Sequence, residues 1–203
     1  MKRWVLFDYG AGNLHSLRRG LERAGASVHV TQEARHLAEA DVAVLPGVGA
    51  FGPVMQSLAG ARRGLLERHR EGRPILAVCI GQQVLHESSE EAPSVPGLGL
   101  LPGRVRRLPA TEGKVPHMGW NTLEVLRPDP MLEGVETGSH VYYVHSFGSV
   151  PGADCLAATT YGMRFAAALR RGHTIGTQFH PEKSGPVGAR ILANLVRELE
   201  TLA

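Results

Sequence analysis

Cysteine is scarce in this chain: among 203 residues there are two, Cys79 and Cys155, far apart. A secreted scaffold held by disulfides would carry more, so a reducing, cytoplasmic setting is expected. There is no CxxC pair and no HExxH, so a zinc site has no sequence support, and neither metal nor cofactor is expected. No apolar run approaches a membrane span, and Met1 leads straight into a strand-like run without a secretory segment. Charge of a single sign is also missing: 22 basic residues stand against 19 acidic ones, a formal net charge of +3. The densest basic group, Arg104, Arg106 and Arg107, reads as the wet face of a strand, so neither nucleic acid nor membrane is an expected partner. Repeats, low-complexity tracts and linkers are absent too, and the length suits a single domain spanning 1–203.

What is present is an alternation of short apolar runs with helical periods. Trp4 to Phe7, Val28 to Val30, Val42 to Leu45 and Ile75 to Val78 read as buried strands. Asn13 offers an N-cap to a helix carrying Leu14, Leu17, Leu21 and Ala24, which Gly25 stops. Residues 62–70 fit a solvent-facing helix with Leu65 and Leu66 inward. This order predicts an α/β fold with a parallel sheet and helices on both faces. From Gly97 to about Thr177 the pattern changes to short strand candidates: Val105, Leu123 to Leu126, Val141 to Val144, Leu156 to Thr159, Ala166 to Leu169 and Thr174 to Gln178. A partly antiparallel extension of the sheet is expected there. A last helix is expected over 187–200, with Ile191, Leu192, Leu195, Val196 and Leu199 as its apolar stripe.

The sharpest chemical feature is the junction Val78-Cys79-Ile80-Gly81-Gln82-Gln83, where a buried strand gives way to a helix. Such a turn resembles the nucleophile elbow of hydrolase sheets. It lifts the thiol at the carboxyl end of the sheet, and the helix N-terminus favours thiolate and offers a backbone N–H to an oxyanion. Gly81 would let substrate approach the backbone closely. Cys79 could equally be a small core residue, as most free cysteines are. A second feature answers the first: after the strand ending at Phe179 comes His180-Pro181-Glu182. In extended chain, residues two apart point the same way, so imidazole and carboxylate can meet, directly or by slight bending at Pro181. A cysteine nucleophile needs a base, and the base needs an orienting group. A third feature is Pro46-Gly47-Val48-Gly49, directly after a strand, which reads as the second half of an oxyanion hole or as a plain turn. His29 and His69 read as structural or solvent-facing, and Cys155 as core.

Together Cys79-Ile80-Gly81-Gln82-Gln83, His180-Pro181-Glu182 and the upstream glycine loop resemble the class I (triad-type) glutamine amidotransferases. The strings from Pro46 to Gly52, Pro116 to Asn121, Tyr143 to Phe147 and Phe179 to Ser184 are similar to those of the glutaminase subunits of imidazole glycerol phosphate synthases. The resemblance implies a flavodoxin-like, mixed and mainly parallel central sheet. It implies that Cys79 attacks the glutamine carboxamide, that His180 shuttles the proton and that Glu182 orients it. The oxyanion contacts implied are Ile80 and the Gly47, Val48, Gly49 segment; the substrate contacts are Gly47, Gln83, Glu91, Ser146 and Phe147. Phe147 replaces a tyrosine frequent in relatives, so only backbone contacts are expected to survive there. The sequence ends at Ala203, soon after the last helix, so ammonia is expected to be used on another chain. In the resembled family that partner is a (β/α)8-barrel cyclase making imidazole glycerol phosphate and an aminoimidazole carboxamide ribotide, with Asn13, Trp120, Asn121 and Lys183 on the docking face and hinge. A thiol peptidase on a similar elbow and a silent module that only steadies a synthase are the rival readings.

Overall fold

The computed structural model describes residues 1–10, 12, 14–111 and 113–202. In the first half the apolar runs become parallel strands β1 (Arg3–Phe7), β2 (Ser27–Thr31), β3 (Val42–Leu45) and β4 (Ile75–Val78). Between and after them lie helices α1 (His15–Arg23), α2 (Ala34–Glu39), α3 (Phe51–Ser57), α4 (Arg62–Arg70) and α5 (Ile80–Val84). The second half supplies β5 (Ser88–Ser89), β6 (Arg104–Arg107), β7 (His117–Thr122), β8 (Glu124–Val125), β9 (His140–His145), β10 (Phe147–Ser149), β11 (Cys155–Tyr161), β12 (Met163–Arg171) and β13 (Thr174–Thr177). Helix α6 (Gly185–Thr201) closes the fold.

The main sheet runs β2-β1-β3-β4-β13-β12-β11-β8. Its first five strands are parallel in the flavodoxin-like order, and β12, β11 and β8 extend it antiparallel. Because strand side chains alternate, each buried strand feeds two cores. Trp4, Leu6, Val42, Val44, Leu76 and Val78 pack with Leu17 and Leu21 of α1 and Ile191 and Leu195 of α6. Val5, Phe7, Ala43, Leu45, Ile75 and Ala77 pack on the other face with Leu37 of α2, Phe51 of α3 and Leu65 of α4. Both faces being covered explains why these strands read as continuous apolar runs rather than alternating ones.

Several local expectations shift. Helix α1 begins at His15 with Leu14 in the N-cap place; Asn13, read as the cap, lies outside the described residues. Leu66 of α4 is half-buried, whereas Arg68 is buried instead. Its guanidinium donates to the carbonyls of Ala38, Ala40, Asp41 and Pro74 at 3.3, 2.6, 3.0 and 2.8 Å, tying α4 to the chain around α2 and to the entry of β4. Burial pulls its pKa down to about 10. Of the run 123–126 only Glu124–Val125 pairs, and β13 stops at Thr177. Cys155 is core: burial pushes its thiol up to about 11, and Sγ lies 3.2 Å from the Ala157 carbonyl. Among the described residues no helix is long and apolar enough to cross a membrane.

Candidate active site

Three neighbouring parallel strands, β3, β4 and β13, each deliver part of one site at their carboxyl ends. Their registers are level: Leu45 pairs with Ala77, and Val78 pairs with Thr177. Pro46-Gly47, Cys79 and the Gln178–His180 segment therefore emerge side by side. This is where open α/β sheets place ligands.

Cys79 occupies the turn between β4 and α5 with φ +50° and ψ −109°, which is strained for a residue with a side chain. Holding it there costs about 1–3 kcal/mol. Gly81 does not serve substrate approach: a Cβ there would strike the Leu45 carbonyl, so this glycine lets α5 sit against β3. Gly47 is the glycine wedged between Cys79 and His180. A Cβ on it would lie 2.7 Å from His180 Cε1 and 3.0 Å from Cys79 Cβ. Gly49 adopts φ +102°, and Val48 packs on Gly12.

His180 and Glu182 meet, but not through extended chain. Residues 181–183 form a short 3-10 turn that brings His180 Nδ1 to 2.7 Å from Glu182 Oε1. The turn is pinned from both sides. His180 N–H donates to the Tyr142 carbonyl at 2.9 Å, and Ser184 Oγ donates to the His180 carbonyl at 2.6 Å while accepting from Tyr142 N–H at 2.9 Å. The imidazole and carboxylate are 3% and 6% exposed, so their attraction is little screened. Burial pulls the His180 pKa down, but the Cys79 and Glu182 side chains outweigh it and raise it to about 10. His180 Nε2 makes no hydrogen bond, and the thiol is turned to the Val144 carbonyl at 3.8 Å.

A cavity of about 200 Å³ opens on the sulfur, lined by Gly49, Cys79, Ile80, Gln83, Glu91, Pro116, Val144, His145, Ser146 and Phe147. Sequence reasoning had singled out Cys79, Ile80, Gly49, Gln83, Glu91, Ser146 and Phe147, and the fold gathers all of them at one cavity. Gly47 stands behind the sulfur rather than on this wall. Glu91 Oε2 accepts from Phe51 N–H at 2.9 Å, so the carboxylate is anchored at the start of α3. The Gln83 amide nitrogen is already committed, to the Phe147 carbonyl at 2.8 Å and Gln178 Oε1 at 3.1 Å. A ligand contact by Gln83 therefore falls to its oxygen.

Beside the cavity, β7 and β9 form a two-stranded sheet with His117 opposite His145 and Trp120 opposite Tyr142. Met118 and Trp120 point outward, 64% and 55% exposed. Trp120 faces Gly185, and exposed Lys183 follows the His180–Glu182 turn. Asn121 faces inward and donates to the Thr160 carbonyl at 3.1 Å. Asn13 lies outside the described residues. The sequence reading missed the site roles of Gln178, Ser184 and the His117–His145 pair. For Gln178 the sequence shows a polar amide at the end of an otherwise buried strand, but nothing of where that amide points. Among the described residues no group of three or more His, Cys, Asp or Glu could hold a metal ion.

The profile of the "Glutamine amidotransferase class-I" family matches residues 5–199. Imidazole glycerol phosphate synthase subunit HisH of Methanosarcina mazei is 46% identical, covering 97% of this chain and 98% of its own. The HisH subunits of Deinococcus radiodurans and a Synechococcus species are 48% and 49% identical, each covering 96% of this chain and 93% of its own. Among solved structures, a glutamine amidotransferase superposes with TM-score 0.75 at 21% identity, covering 98% of this chain and 99% of its own. PurLQS from Thermotoga maritima superposes with TM-score 0.73 at 19% identity, covering 98% and 100%. The likeness to both structures is one of fold. With the sequence matches spanning nearly its whole length, the chain belongs to the class-I glutamine amidotransferases and, within them, to the HisH family.

Proposed function

We propose that this chain, as a single domain over 1–203, is the glutaminase subunit of an imidazole glycerol phosphate synthase, acting in the cytoplasm without a cofactor. The observation that carries the chemistry is the strained Cys79 held against Gly47 and beside the His180–Glu182 pair, at the mouth of a small polar cavity. The Cys79 sulfur, its proton held by His180 Nε2, attacks the carboxamide carbon of glutamine. The C–N bond breaks as His180 returns that proton to the leaving nitrogen, so ammonia departs and a glutamyl thioester remains. Water, losing its proton to His180, then cleaves the thioester to glutamate and the free thiol. Glu182 keeps the ring oriented and its charge balanced through Nδ1.

The Ile80 N–H, at the first residue of α5, has no partner within its own helix and serves the oxyanion. The Gly47, Val48, Gly49 segment supplies the second donor after a peptide rearrangement that Gly49 makes cheap. Glutamine's α-groups meet Glu91, the Gln83 oxygen and the Ser146–Phe147 backbone. The released ammonia is used by a (β/α)8-barrel cyclase docked over Trp120, Asn121 and Lys183; Asn13, the fourth expected contact, lies outside the described residues. The exposed Met118 and Trp120 side chains support an apolar docking face beside the site.

The test is synthesis by the reconstituted pair. Cys79→Ala should abolish glutamine-dependent product while leaving product from added ammonium salts unchanged. Loss of both activities would overturn the assignment of this chain to the glutaminase step alone.

A further inference from the structure

The side chain of Gln178 takes no part in the scheme above, yet it touches the reacting atom. It is completely buried, and its Nε2 donates to Cys79 Sγ at 3.6 Å. The orientation of this amide is fixed by its neighbours. The Phe147 carbonyl can only accept, so the Gln83 atom 2.8 Å from it is the amide nitrogen. That nitrogen also donates to Gln178, at 3.1 Å, so Gln178 must present its oxygen to Gln83 and its nitrogen to the sulfur.

The Phe147 carbonyl is held from a second side. His145 Nδ1 donates to it at 2.8 Å, leaving Nε2 to accept from His117 Nδ1 at 3.0 Å. His117 Nε2 in turn accepts from Asn121 Nδ2 at 3.3 Å. Burial keeps both rings neutral, pulling His145 down to about 3 and His117 to about 4. Every donor and acceptor from Asn121 to the sulfur thus has one consistent assignment. Such a network resists reorientation when charge appears at its end.

We infer that Gln178 is a further catalytic residue of the glutaminase reaction, its buried amide N–H holding the Cys79 sulfur and stabilising negative charge there whenever the thiol proton resides on His180. An amide is suited to this place. It cannot compete for the proton, and in a water-poor site a neutral donor aimed at an anion needs no reorganisation. The charged or titratable groups around the sulfur are His180 with Glu182 behind it, His145 from β9 and Glu91 across the cavity. None of them can stand in for a neutral donor. The inference rests on Cys79 being the nucleophile.

The test compares Gln178→Met, which fills the space without a donor, with Gln178→Glu, which keeps the shape but sets negative charge against the sulfur. In complex with the cyclase subunit, Gln178→Met should lower kcat for glutamine hydrolysis about tenfold at unchanged KM, the scale of one lost hydrogen bond to a developing charge. Gln178→Glu should lower it further. Alkylation of Cys79 by iodoacetamide in the full chain, read on the Cys79 peptide at fixed pH, should slow in the same order with both variants folded. Wild-type kcat and alkylation in Gln178→Met would overturn the inference. A fall in both variants matched by an equal loss of folded protein would also overturn it, assigning the residue to packing. Cys79→Ala, run alongside, separates the two claims, since turnover by that variant would remove the nucleophile itself.

Discussion

Cys79 carries the backbone cost of the site and, in the proposed mechanism, its chemistry. A non-glycine residue at φ +50° is retained against a penalty of about 1–3 kcal/mol. Glycine normally destabilises a folded chain relative to alanine by about 0.5–1 kcal/mol, through the freedom it adds to the unfolded state. At this position the order should reverse, with Cys79→Gly melting at a higher temperature than Cys79→Ala and neither hydrolysing glutamine. Calorimetry on the two variants checks it; the usual order would mean that the turn is not strained. The Cys79 turn and the His180–Glu182 pair, nucleophile and base of the proposed mechanism, stood out at this scale, because a thiol at a strand end and an HxE after another strand are each rare enough to combine. Gln178 was not legible, because a glutamine at the end of a buried strand gives no sign of which way its amide points until Gln83 and Phe147 are seen around it.

At the scale of elements, the site is the product of strand adjacency. Gly47 and His180 lie 32 and 101 residues from Cys79, and only the neighbouring, level placement of β3, β4 and β13 joins them. Gly47 shows how tight the junction is. In Gly47→Ala the new methyl would stand 2.7 Å from His180 Cε1, and the imidazole, pinned by Glu182 and the 180–184 turn, has no room to yield. Misplacement of a catalytic group by about 1 Å costs on the order of a hundredfold in rate. Gly47→Ala is therefore expected to lose glutaminase activity on that scale with its circular dichroism unchanged; near-wild-type turnover would show that the loop is slack.

The parallel strands were readable as elements because burial on both faces made them continuous apolar runs. The meandering half was less so. Strand β7 alternates His117, Gly119 and Asn121 inward with Met118, Trp120 and Thr122 outward, a pattern with neither a β-branched nor an apolar inner face. Helices α2 and α3, of 6 and 7 residues, are too short to show a helical period. The cation of Arg68 inside the fold was hidden for a different reason: its acceptors are backbone carbonyls, which no residue type announces.

For the whole molecule, the shifted histidines set the pH dependence of stability. His117 and His145 are neutral in the folded chain down to about 4 and about 3, whereas in the unfolded chain they take up protons near 6.5. Their contribution is present above pH 6.5 and is lost as pH falls towards those values; His69 and His86, also lowered chiefly by burial, act in the same direction. His180 works the other way. It stays protonated in the folded chain up to about 10, so its contribution is full below pH 6.5 and is lost as pH rises through about 10. Stability should therefore peak near pH 6.5 and decline on both sides, as read from denaturant unfolding at a series of pH values. Glu182→Gln should flatten the alkaline side by removing one of the groups that raise His180. An alkaline side unchanged in that variant would show that the His180–Glu182 pair does not hold the proton.

The central claim is that this molecule breaks down glutamine for another chain. It is tested most directly by glutamate release from glutamine, measured with the chain alone and then with the barrel cyclase and its nucleotide ligand present. The account predicts low release alone and strong stimulation in the complex. Absence of release under both conditions would contradict it.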